Sequence, residues 1–190
     1  MDLSLIIPAY NEAERIGKTL KSFDQFLRQK SWRYEILVVD DGSTDNTVEY
    51  LERLKADIKN LHVLPSEINK GKGHAVRVGM LNAKGKYRVF SDADGSTPIE
   101  ELHKLLEPLQ NKEADISIGS RYLKESEIDT PQPFIRRVWS RLANRVVQNI
   151  LLPGIVDPHC GFKAFTYAAA EQVFSKCQVN EWSFDLEVLA

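Results

Sequence analysis

The stretch Tyr87-Arg88-Val89-Phe90-Ser91-Asp92-Ala93-Asp94-Gly95-Ser96-Thr97-Pro98 starts as a short β-rich run and ends in two carboxylates one residue apart. Gly95 then loosens the backbone, and Thr97-Pro98 opens a helix. Thr97 is the expected N-cap, Pro98 the first helical residue, and Glu100, three after the cap, completes a capping box. Asp92 and Asp94 therefore lie on a strand-to-helix crossing, at the carboxyl end of the strand, where open α/β sheets place their ligands. Acid–x–acid at such a point can hold a divalent metal through oxygen ligands, leaving positions for water and a diphosphate. A solvated Asp-rich turn has the same local sequence, so the neighbouring segments must discriminate.

Toward the N-terminus the same arrangement recurs. Asn69-Lys70-Gly71-Lys72-Gly73-His74 is a basic, glycine-rich loop that feeds a helix to about residue 83, and a short strand is expected over 61–64. A second buried strand, 34–39, runs into Asp40-Asp41-Gly42-Ser43-Thr44-Asp45-Asn46-Thr47, where Ser43 or Thr44 can cap the helix that follows to residue 54. The first strand, 3–8, is apolar and leads through Ala9-Tyr10-Asn11-Glu12 into a helix to about residue 30, with Ile16, Leu20, Phe23 and Leu27 at helical spacing. Toward the C-terminus a helix to about residue 109 precedes a strand over 114–118 that ends in Gly119-Ser120-Arg121. Strands alternating with helices imply parallel βαβ units and a doubly wound α/β sheet. No repeat or low-complexity linker interrupts the pattern, so residues 1–190 are expected to form one domain.

After Arg121 the character changes. Residues 122–133 are polar and contain two prolines. Residues 134–152 form an amphipathic pattern, with Ile135, Val138, Trp139, Leu142, Val146 and Ile150 on one stripe and Arg137, Arg141 and Arg145 on another. Such a basic amphipathic helix suits a membrane interface, or a sheet surface with its arginines in water. A last strand over 162–165 and a helix to about residue 174 follow. The chain ends inside Trp182-Ser183-Phe184-Asp185-Leu186-Glu187, the start of another helix, which suggests truncation at the C-terminus.

Composition sets outer bounds. A hydrophobic share of 43%, a charged share of 27% and a net charge of −2 are those of a soluble globular protein and give no global pull toward nucleic acid. Cys160 and Cys177 have no paired ligand spacing, and His62, His74, His103 and His159 are scattered, so neither a disulfide framework nor a zinc site is expected. No apolar run reaches the roughly 20 residues of a membrane span, and the first residues do not read as a signal peptide. An intracellular protein that meets membranes peripherally is the expectation. There is no G-x-G-x-x-G after the first strand and no G-x-x-x-x-G-K-[ST], which removes nicotinamide dehydrogenases and P-loop phosphotransferases.

Taken jointly, Ile6-Ile7-Pro8-Ala9-Tyr10-Asn11-Glu12, Val38-Val39-Asp40-Asp41-Gly42-Ser43 and Asp92-Ala93-Asp94 resemble the inverting family 2 glycosyltransferases of the GT-A fold. The loop Asn69–Gly73, Gly119-Ser120-Arg121-Tyr122, Cys160-Gly161-Phe162-Lys163 and the Trp182–Glu187 segment narrow the resemblance to polyprenyl-phosphate glycosyltransferases, the dolichyl-phosphate glucosyltransferases among them. The resemblance implies a Rossmann-like, mostly parallel sheet flanked by helices, and a set of roles. Pro8, Tyr10, Glu12, Val39 and Asp41 line the nucleoside pocket, with Asp40 competing with Asp41 for the base or ribose. Lys72 belongs with the donor nucleotide. Asp92 and Asp94 bind Mg2+ or Mn2+ on the donor diphosphate, and Ala93 touches the nucleotide through its backbone. Arg121 faces the phosphates. Arg136 and Ser140 take the lipid phosphate on the basic helix. Ser96 stands where related enzymes carry a glutamine that assists the metal.

The implied partners are a nucleotide sugar, UDP-glucose foremost, a polyprenyl phosphate and the cytoplasmic face of a membrane. A phosphate monoester has a second pKa near ~6 and is mostly a dianion at neutral pH, so such an acceptor needs no general base. A soluble transferase with a sugar-hydroxyl acceptor would need one, for which Asp185 and Glu187 are the candidates. A nucleotide-sugar-binding module without turnover is the remaining alternative.

Overall fold

The computed structural model describes residues 1–120 and 154–190. Its sheet contains β1 (Leu3–Ala9), β2 (Tyr34–Asp40), β3 (Leu61–Pro65), β4 (Tyr87–Ser91), β5 (Ile116–Ile118) and β6 (Phe162–Thr166), in the order β3-β2-β1-β4-β6-β5. The helices are α1 (Ile16–Arg28), α2 (Thr47–Leu54), α3 (Lys72–Asn82), α4 (Leu102–Gln110), α5 (Tyr167–Phe174) and α6 (Phe184–Leu189); a 3-10 turn, Ile99–Glu101, leads into α4. Arg121, Arg136, Ser140 and the expected basic helix 134–152 lie outside the described residues.

Every residue of β1 and β2 is buried, which is why these strands read as apolar runs rather than alternating ones. Leu3, Leu5 and Ile7 pack with Leu20, Phe23 and Leu105 on one face of the sheet. Ile6, Leu37 and Phe90 pack with Val76, Met80 and Phe184 on the other. Each such side chain contributes about 1.5–3 kcal/mol on burial, so the two helical layers fix the sheet between them. β1 pairs in parallel with β2 and with β4, and β2 with β3, so the carboxyl ends of these four strands share one edge.

Three sequence expectations change. β6 is antiparallel and inserts between β4 and β5, so the doubly wound pattern holds only for the first four strands. The capping box does not form. Pro98 takes φ −59° and ψ 133°, outside the helix, and no side chain caps the 3-10 turn; Asp94 Oδ1 instead accepts the Ser96 N–H at 2.9 Å. Ser43 and Thr44 do not cap α2 either. They face the β1 turn, while Asp45 Oδ1 accepts the Thr47 N–H at 2.9 Å. Among the described residues no helix is long and apolar enough to cross a membrane.

Candidate active site

The turns after β1 and β2 are tied to each other. Asn11 adopts φ +55°. This turns its backbone N–H toward Ser43 Oγ, 2.8 Å away, and its side-chain oxygen toward the Thr44 N–H, also 2.8 Å away. The Glu12 N–H donates to Thr47 Oγ1 at 2.8 Å. Polar residues at both turns thus satisfy one another's backbone, and Tyr10 is left on the rim with 44% of its surface exposed.

Asp40 and Asp41 part company at the end of β2. Asp40 is buried and turns back on its own turn, accepting the Ser43 N–H at 3.1 Å and the Ser43 hydroxyl at 2.5 Å. Asp41 reaches across to the glycine-rich loop, where its carboxylate accepts the Lys70 N–H at 3.0 Å and the Gly71 N–H at 2.7 Å. Gly71 makes this possible with φ +100°, a conformation that costs an L side chain strain, and a Cβ there would stand 2.5 Å from the Asn180 carbonyl oxygen.

That loop delivers Lys72 to the carboxylates after β4. Its Nζ lies 2.5 Å from Asp92 Oδ1 and 4.8 Å from the centre of the Trp182 ring. Asp92 is backed by Gly161. Its N–H donates to the Gly161 carbonyl at 3.2 Å, and a Cβ on Gly161 would fall 1.9 Å from Asp92 Oδ2. Asp94 is exposed beside it.

A cleft of about 500 Å3 runs along this edge. Pro8, Tyr10, Glu12, Asp41, Lys72, Asp92, Ala93 and Asp94 line it, together with Arg15, Asn69, Glu181 and Trp182, which sequence reasoning gave no role. Val39 and Asp40 are buried and absent from the lining. Arg15 is held by Glu12 through two hydrogen bonds, its Nη2 lying 2.6 Å from Oε1. The Glu12–Arg15 spacing at the entry to α1 is the signal that could have found it. Trp182 is 73% exposed, an unusual cost for an indole, and was quoted only as part of a motif.

Among the described residues the lining carries five carboxylates, from Glu12, Asp41, Asp92, Asp94 and Glu181, and two cations, Arg15 and Lys72. Among the described residues no three His, Cys, Asp or Glu side chains are grouped as a metal site. Two carboxylates with room for phosphate oxygens nevertheless form the donor set that Mg2+-like ions use beside a diphosphate.

Beneath the cleft lies a buried ion pair. Lys163, on β6, is fully buried, and its Nζ donates to Asp185 Oδ1 at 2.5 Å and to the Cys160 carbonyl at 2.7 Å. Burial pushes the Lys163 pKa down, while Asp185 pulls it back up. Glu187 accepts from the Gln178 N–H at 2.9 Å and the Val179 N–H at 2.8 Å. Both acids that the sequence offered as general bases are therefore engaged inside the fold.

The family model for glycosyl transferase family 2 matches residues 4–174. Dolichyl-phosphate beta-glucosyltransferase of Drosophila melanogaster is 37% identical over 201 residues, covering 100% of this chain and 62% of the relative. The enzyme of that name from Dictyostelium discoideum is 35% identical, covering 98% and 61%. The chain thus spans about three-fifths of the length of these curated relatives. Among solved structures, glucosyl-3-phosphoglycerate synthase from Mycobacterium tuberculosis, in complex with Mn2+, UDP and glucosyl-3-phosphoglycerate, has a TM-score of 0.71 at 20% identity, covering 99% of this chain and 63% of that one. S. aureus TarS 1–349 with UDP-GlcNAc has a TM-score of 0.64 at 21% identity, covering 100% and 53%. These likenesses establish the GT-A fold. With the family match running from β1 through α5 and enclosing the strand-end carboxylates, the chain belongs to glycosyl transferase family 2.

Proposed function

We propose that this chain carries the catalytic domain, residues 1–190, of an inverting glycosyltransferase that moves glucose from UDP-glucose to a polyprenyl phosphate of the dolichyl type. It would work peripherally at the cytoplasmic face of a membrane. The observation that carries this reading is the convergence of Tyr10, Asp41, Lys72, Asp92 and Asp94 on one cleft. The relatives' shared name supplies the dolichyl-phosphate acceptor and the glucosyl group, and UDP as the carrier comes from the resemblance.

In this reading the exposed Tyr10 ring stacks on the base, and Asp41, held by the loop amides, accepts from the base or ribose through its remaining lone pairs. Asp92 and Asp94 hold Mg2+ or Mn2+, which when bound acts as a Lewis acid on the diphosphate of the departing UDP. Lys72 and Arg15 supply further positive charge on the donor side, and Arg121 is assigned there by resemblance. Arg136 and Ser140 are likewise assigned to the acceptor phosphate. The acceptor oxygen already carries negative charge, so positioning replaces proton abstraction. The occupation of Asp185 by Lys163 and of Glu187 by backbone amides fits an acceptor of that kind.

Gly161 has a positioning part. The group its Cβ would displace is the end of a flexible carboxylate side chain, so Gly161→Ala should fold with little loss of stability but push Asp92 out of place. Changes that displace a ligand side chain from behind typically weaken metal binding by about 10–100-fold. Calorimetry with Mn2+ and UDP, set beside a thermal melt, checks both halves; unchanged affinity removes Gly161 from the site.

The sugar-hydroxyl alternative keeps one candidate base, Glu181, exposed on the cleft. Transfer from UDP-glucose to a short-chain prenyl phosphate should stay within about twofold in Glu181→Gln, since loss of a true general base costs about 10²–10⁴-fold. A loss of that size, with the prenyl phosphate rejected as acceptor, would favour the alternative.

A further inference from the structure

The contact between Lys72 and Asp92 sits where the proposed function needs a metal. Lys72 is the first residue of α3, directly after the strained Gly71, and its ammonium lies 2.5 Å from Asp92 Oδ1. The pair is partly shielded, with side-chain exposures of 16% for Lys72 and 31% for Asp92. The aromatic rings of Trp182 and Phe90 face the same ammonium from 4.8 Å and 6.0 Å.

We propose that Lys72 is a built-in counter-ion that holds Asp92 until a divalent metal arrives with the donor, and then transfers its charge to the donor's diphosphate. The inference rests on the reading of Asp92 as a metal ligand. Its physical basis is exclusion. An oxygen that accepts a 2.5 Å hydrogen bond from an ammonium is already committed, and a divalent ion placed on it would stand against a like charge at short range. The long lysine stem has four rotatable bonds and can swing its head without moving α3. Among the described residues the carboxylates of the lining outnumber its cations, so a counter-ion on Asp92 relieves their mutual repulsion when nothing is bound. A diphosphate entering with the metal offers the displaced ammonium a new partner, so metal and nucleotide each remove the obstacle to the other. Lys72 is in this sense a positioning residue for the metal site, and Trp182 is the ring it leaves.

The test compares Mn2+ binding, by calorimetry, to wild type, Lys72→Met and Lys72→Arg, with and without UDP. Without nucleotide, Lys72→Met should bind Mn2+ about fivefold more tightly than wild type, the size of one partly shielded ion pair. Lys72→Arg should restore the weaker wild-type value. UDP should tighten Mn2+ binding in wild type more than in Lys72→Met. Unchanged or weaker Mn2+ binding in a folded Lys72→Met overturns the inference while leaving the metal site standing. Absence of Mn2+ binding to wild type even with UDP overturns the metal reading, and the inference with it.

Discussion

Asp94→Ala is expected to lower metal-dependent release of UDP from UDP-glucose by on the order of 10³-fold. The carboxylate is one of two that the cleft offers to a divalent ion, and the ion's stabilisation of a departing diphosphate amounts to several kcal/mol, with each 1.4 kcal/mol worth about tenfold in rate. The fold should hardly notice. Asp94 is exposed, and its hydrogen bond is to the Ser96 N–H of a surface turn. A melting temperature close to wild type together with lost turnover is therefore the diagnostic combination. UDP release within tenfold of wild type would sink the metal assignment. UDP release by wild type itself excludes a module that binds nucleotide sugars without turning them over.

Lys163→Met should have the opposite signature, a loss of stability before any question of catalysis. The ammonium is fully buried between Asp185 and the Cys160 carbonyl, with the Phe90 ring 5.0 Å from it. Removing it leaves the Asp185 carboxylate, itself only 4% exposed, with His159 Nδ1, 3.9 Å from Oδ2, as its remaining nearby nitrogen partner. Breaking one half of such a pair costs about 3–5 kcal/mol. For a chain of this size that corresponds to a melting temperature lower by about 10 °C. The double variant Lys163→Met/Asp185→Leu should recover most of the loss, because an apolar pair of similar volume needs no counter-charge. Urea denaturation of both variants measures it. A single variant within about 1 kcal/mol of wild type would mean that the Lys163–Asp185 pair does not hold the fold, and that His159 suffices as the partner of Asp185.

Much of the cleft lining was legible because it is written locally. Leu3–Ala9 and Tyr34–Asp40 are mostly apolar runs, broken only by Ser4, Glu35 and the terminal Asp40, as suits strands covered on both faces, and each leads into polar residues that emerge at the same edge. Asp92 and Asp94 follow β4 in the same way. What escaped depends on contacts distant in sequence. Nothing within Phe162-Lys163-Ala164-Phe165-Thr166 announces that it will pair antiparallel with β4, and a lysine at its second position argues against a central strand until Asp185 is seen beside it. The adjacent acids Asp40 and Asp41 could not be told apart, since the choice turns on which one meets Ser43 and which meets the loop at Lys70 and Gly71. Pro98 misled for a physical reason. Its fixed φ suits a helix start, but ψ remained free and came out extended.

The insertion of β6 beside β5 has a consequence for how such chains diversify. The backbone leaves the sheet at Gly119, whose N–H donates to the Phe162 carbonyl at 2.9 Å, and it returns at Phe162 itself. Departure and return are thus clamped together, next to the Gly161 that supports Asp92. Whatever is threaded between these two points shares one doorway, and lengthening it costs only about 0.6 kcal/mol per doubling. The interval behaves as a cassette. A change in the length of that interval therefore leaves the pairing of β4, β6 and β5 in register.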